Sequence, residues 1–166
     1  KDHSLNIFEY LYNKIGDNDI LCFTHPDRTT ILDESIEIGR NQLETSENIQ
    51  KIKRKWKEHK FSDTIGLTET DILLRKHKNI MDFSKMWTQY ITICRRDQLS
   101  FDCLLQAFNI RYLRLPHKTK LTYFKKNPHA NPHNRTIVTQ QPQKKHTEES
   151  NNSYFIIIDI GNINFI

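Results

Sequence analysis

Nothing in the chain approaches the roughly 18 consecutive apolar residues of a membrane-spanning helix, so no transmembrane segment is expected. The opening residues Lys1-Asp2-His3-Ser4 hold neither an apolar signal region nor an initiator Met. The chain is therefore expected to begin inside a longer protein or after processing. Cysteine is scarce: Cys22, Cys94 and Cys103 are odd in number, widely spaced and free of CxxC or other metal spacing. They read as reduced core thiols, which points to a reducing, cytoplasmic compartment. Apolar residues make up 36% of the chain, against about 45–50% in ordinary globular proteins.

Part of that apolar deficit is local. From residue 125 to 153, Pro, His, Asn, Gln, Lys and Thr dominate, a composition that predicts a disordered polar tail. Residues 154–166 turn apolar again and read as an edge strand or an unstructured end. That leaves 1–124 as one domain of ordinary size, able to bury a single core. Lys and Arg number 25 against 20 Asp and Glu, a net charge of +5. This balance suits a nucleotide diphosphate, a nucleic acid or a membrane surface, and does not choose among them.

Ile7, Phe8, Leu11, Tyr12 and Ile15 recur at helical spacing, and Gly16 stops that helix. Asp19 to Thr24 reads as a short buried strand, and Ile31 to Leu43 as a second helix. Thr45 or Ser46 caps a third, with Ile49, Ile52 and Trp56 on one face. The Lys and Arg run from Lys51 to Lys57 reads as its solvated face. Thr64 to Arg75 is a loop entering a strand. Asp82 is expected to cap a helix whose stripe includes Phe83, Met86, Trp87, Tyr90 and Cys94, which makes Trp87 a core residue. Arg95 to Gln98 opens another helix, and Tyr112 to Leu115 is a strand ended by Pro116-His117. Helices alternating with short strands give an α/β class.

Four polar clusters fall at strand ends or helix starts, where α/β folds place ligands. They are Asp2-His3-Ser4, His25-Pro26-Asp27-Arg28, Gly66-Leu67-Thr68-Glu69 with Arg75, and Arg96-Asp97-Gln98. The order His-Pro-x-Arg, Gly-Leu-x-Glu, Arg, Trp and Arg-Asp-Gln-Leu-Ser-Phe resembles a glycosyltransferase-like family. Its members include plant mucilage-related proteins, a plant protein called an alkaline ceramidase, and bacterial and viral polysaccharide transferases. The likeness spans roughly residues 2 to 117.

The resemblance implies a partial nucleotide-sugar transferase fold, GT-A-like, that lacks its N-terminal nucleotide-binding strands. It implies a metal-dependent transfer from a nucleotide-diphosphate sugar to a glycan or polysaccharide acceptor, with Mn²⁺ or Mg²⁺ neutralising the leaving group. Asp2 and His117 are the implied metal ligands. His25, Arg28, Arg75, Arg96 and Gln98 are the implied substrate-binding residues. Asp97 and Glu69 are the implied catalytic carboxylates: an inverting enzyme needs one to take the acceptor proton, while in retaining relatives an Asp-Gln pair contacts the transferred sugar. His25, Arg28, Glu69 and Asp97 are expected to converge on one cleft. The alternatives are an inactive remnant of such an enzyme and a basic nucleic-acid-binding domain. No nucleic-acid partner is expected, since Gly/aromatic binding motifs are missing.

Overall fold

The computed structural model describes residues 7–76 and 80–123, together with the backbone of 156–159. Asp2 and the 125–153 segment lie outside the described residues. The elements run α1 (Ile7–Ile15), β1 (Ile20–Thr24), α2 (Ile31–Arg40), α3 (Ser46–Glu58), β2 (Thr68–Arg75), α4 (Met81–Ile93), α5 (Gln98–Ala107), β3 (Tyr112–Leu115), α6 (His117–Tyr123) and β4 (Ile156–Asp159). The class is mixed α/β, as composition and periodicity imply.

The sheet order is β3-β1-β2-β4. β3 runs parallel to β1, β2 antiparallel to β1, and β4 parallel to β2. The C-terminal ends of β1 and β3 and the start of β2 therefore share one end of the sheet.

Both sheet faces are covered. On one, Leu11 and Ile15 of α1 pack on Leu21, Phe23, Ile72 and Leu74. On the other, a larger core joins Ile20, Cys22 and Leu73 to α2, α3, α4 and α5, with Phe83, Trp87 and Phe101 at its centre. Trp87 meets Phe101 edge-on, with ring centroids 4.9 Å apart, a favoured aromatic geometry. The pairing register shifts between Leu21 and Phe23. Such a shift moves side chains from one face to the other. Accordingly Thr68 faces α5, as does Leu73, while Glu69 and Asp71 face α6 and Ile72 faces α1.

Helix boundaries follow local chemistry. Thr30 caps α2 by accepting from the Asp33 N–H, and Thr45 caps α3 by accepting from the Asn48 N–H, as Thr does at N-termini. Asp82 does not cap α4: the N-cap is Ile80, without a side-chain bond, and Asp82 sits in the first turn. There it still favours the helix dipole. The three cysteines are buried and unpaired, and burial pushes the Cys22 thiol up to about 12. Among the described residues, no helix is long and apolar enough to cross a membrane.

Candidate functional site

The shared end of β1, β2 and β3 gathers charged side chains in two linked groups. The first is built on the turn after β1. His25 Nδ1 accepts the backbone N–H groups of Asp27 and Arg28 at 3.2 and 3.1 Å. That leaves Nε2 as the protonated nitrogen of the neutral ring, 3.8 Å from Glu34 Oε2 and 3.4 Å from Arg28 Nη2, itself a donor. Arg28 Nε donates to the same Glu34 carboxylate, which is buried. Burial lowers the His25 pKa, while the Glu34 charge partly restores it. His-Pro-x-Arg thus folds a turn around an imidazole and fixes Arg28 against α2. Arg28 Nη1 has no partner among the described residues.

The second group spans β2 and α6. His117 Nδ1 and Glu69 Oε2 are 2.7 Å apart. A carboxylate only accepts, so the proton is on Nδ1 and the neutral ring leaves Nε2 as a bare acceptor. Lys120 Nζ donates to Glu69 Oε1 and to Asp71 Oδ2. Both Glu69 oxygens are therefore occupied, and Glu69 orients His117 instead of acting alone. His117 and Glu69 side chains are 25% and 16% exposed, so solutes reach them. The Glu69 charge reaches the first group, as one of the charges that oppose the burial-driven lowering of the His25 pKa.

Asp97 lies elsewhere. Thr70 follows Glu69 on β2 and points to the opposite face, where its hydroxyl bonds the Asp97 carboxylate at the start of α5. The sheet stands between the two carboxylates, so the expected single cleft is not formed. Asp97 is 7% exposed, and its Oδ2 has no hydrogen-bond partner among the described residues. Burial pushes its pKa up to about 6, against the pull of Thr70 and neighbouring backbone N–H groups. Arg96 is half-buried, and its Nε likewise has no partner among the described residues. Gln98 is half-buried in the first turn of α5. Arg75 is at the far end of β2, six residues from Glu69 or about 20 Å along the strand. It donates to Ser84 Oγ at 3.3 Å. With Met81, Lys85 and Trp87 it lines a shallow groove of about 360 Å³.

Around His117, Nδ1 is taken up by Glu69 and both the Glu69 and Asp71 carboxylates are taken up by Lys120. The space between Glu69 and Asp71 that a cation would share is filled by the Lys120 ammonium. No group of three or more His, Cys, Asp or Glu among the described residues is arranged to hold a metal. Asp2, the other implied ligand, is not among them.

The sequence reading missed the most buried polar group. Asp102, with no exposure, accepts the Thr68 N–H at 2.7 Å, the Thr68 hydroxyl at 2.6 Å and Arg114 Nη2 at 2.7 Å. Arg114 also donates to Ile65 O. Gly66 makes this approach possible: its φ is +87°, and a Cβ there would stand 2.5 Å from Arg114 Nη1. Burial raises the Asp102 pKa and the Arg114 charge opposes it. In Gly-Leu-x-Glu, then, Gly66 admits Arg114, Leu67 is core, and Thr68 binds Asp102. A signal for this group existed: residues 99–105 are apolar apart from Ser100 and Asp102, and a carboxylate in such a helix needs a cation. No known family, curated protein or solved structure matches the chain.

Proposed function

We propose that this domain serves glycosyl transfer from a nucleotide-diphosphate sugar to a glycan or polysaccharide acceptor, in the nucleotide-sugar transferase (GT-A-like) setting that its motifs resemble. The observation that carries the reading is the Glu69–His117 pair, with its bare Nε2 at the C-terminal ends of β1 and β3. Carboxylate–imidazole pairs of this kind take a proton from a hydroxyl. In the proposed step His117 Nε2 accepts the acceptor hydroxyl proton as that oxygen bonds the anomeric carbon. The bond from that carbon to the diphosphate oxygen breaks, and the electron pair leaves with the diphosphate. Glu69 holds the ring tautomer and stabilises the imidazolium that forms. Arg28, fixed by Glu34, presents Nη1 to the anionic leaving group.

A bound Mn²⁺ or Mg²⁺ would supply charge neutralisation at the diphosphate; it would have to be seated by Asp2 and residues beyond those described. No step here passes through it. Asp97 Oδ2 is sealed from solvent, so the accessible imidazole is the better proton acceptor. The experiment is turnover of nucleotide sugars by the full-length protein and its His117→Gln and Asp97→Asn variants. A loss in His117→Gln supports the assignment. A loss confined to Asp97→Asn would transfer proton acceptance to that carboxylate.

A further inference from the structure

The outer surface of the α2–α3 pair has a pattern that transfer chemistry does not use. The two helices run antiparallel. Asp63, just past α3, accepts the Ile31 and Leu32 backbone N–H groups at 2.9 Å each, at the start of α2. Near the end of α2, a Cβ on Gly39 would stand 3.7 Å from Ile49 Cδ1, near the start of α3. Gly39 and Ile49 therefore mark the sides on which the helices meet. Leu32 and Ile36 share the Gly39 stripe at i−7 and i−3, and Lys53 and Lys57 share the Ile49 stripe at i+4 and i+8. Antiparallel alignment therefore puts Leu32 and Ile36 on the same face of the helix pair as Lys53 and Lys57.

Leu32 is 49% exposed and Ile36 50% exposed, and Leu43 in the connecting turn is 51% exposed. Lys51 and Lys55 are paired with Glu47 and Glu58. Lys53, Arg54 and Lys57 have no ion pair among the described residues. The α2 carboxylates are turned to local partners: Asp33 to Thr30, and Glu37 to Arg40 and Asn41.

We propose that this surface docks on an anionic lipid bilayer, lying on the headgroups without crossing. Cations alone would suit any polyanion. The exposed Leu32 and Ile36 on the same face select the bilayer, because the headgroup boundary takes up apolar side chains and a nucleic-acid phosphate backbone does not.

The test is sedimentation of the full chain with phosphatidylcholine vesicles, with and without phosphatidylserine. Binding is expected only to the phosphatidylserine vesicles and should weaken with salt. Each neutralised cation should cost roughly fivefold, so Lys53→Gln, Arg54→Gln and Lys57→Gln together should cost roughly a hundredfold. Leu32→Ser with Ile36→Ser should weaken binding at least roughly tenfold, with an unchanged circular dichroism spectrum. Equal binding to both vesicle types, or none to either, would overturn the proposal. So would a serine variant that binds as tightly as the parent; single-stranded RNA binding by that variant would mark a nucleic-acid surface instead.

Discussion

Gly66→Ala tests the buried Arg114–Asp102 group. Gly66 has a φ of +87°, in the left-handed region where a Cβ costs roughly 1–2 kcal/mol. The new Cβ would also lie 2.5 Å from Arg114 Nη1 and 3.6 Å from Cζ, so the guanidinium must move. Its bonds to Ile65 O, Thr68 Oγ1 and Asp102 Oδ1 leave it little alternative position. Loosening one such charged bond costs about 1.5–3 kcal/mol. The expected total is a loss of about 2.5–5 kcal/mol, read from the midpoint of urea unfolding at constant m-value. In a background of Asp102→Asn with Arg114→Met, only the backbone part of about 1–2 kcal/mol should remain, because the two effects share one partner. A loss under about 0.5 kcal/mol, or the same loss in both backgrounds, would refute the reasoning.

Asp97 should make the fold pH-dependent. Its folded pKa of about 6 lies above the unfolded value near 4, so the folded state binds the proton more tightly. Stability should therefore fall as pH rises from about 4 to about 6, by about 3 kcal/mol. Thermal unfolding across that range should show the slope, and Asp97→Asn should flatten it; an unchanged slope contradicts the assignment. Asp63→Ala removes the carboxylate that accepts the Ile31 and Leu32 N–H groups. It should cost about 0.5–2 kcal/mol in urea unfolding, and no change would mean that water replaces it.

The regular elements were legible because periodicity and capping act locally. An α3 cap at Thr45 or Ser46, of which Thr45 is the one used, β1 through Thr24 and β3 at Tyr112–Leu115 were all readable from residue pattern. α6 was not: Pro116-His117 reads as a strand end, yet Lys120 draws the next turn onto Glu69 and Asp71. The site was half legible. His25, Arg28 and Glu69 do gather at one sheet end, whereas the pairing of Glu69 with His117 was not read, because α6 was not. The separation of these residues from Asp97 depends on strand alternation between Glu69 and Thr70, which motif order does not carry. The Asp102–Arg114 pair depends on β3 lying beside β1, a long-range pairing invisible to local spacing.

The most direct measurement is nucleoside-diphosphate release by the full-length protein, from a panel of nucleotide sugars with glycan acceptors. The wild type should turn over. His117→Gln should lose about 10²–10⁴ in kcat while unfolding at the same temperature, and Glu69→Gln should lose less because it acts through the imidazole. A wild type without turnover across the panel, or a His117→Gln variant with an unchanged rate, would contradict the account.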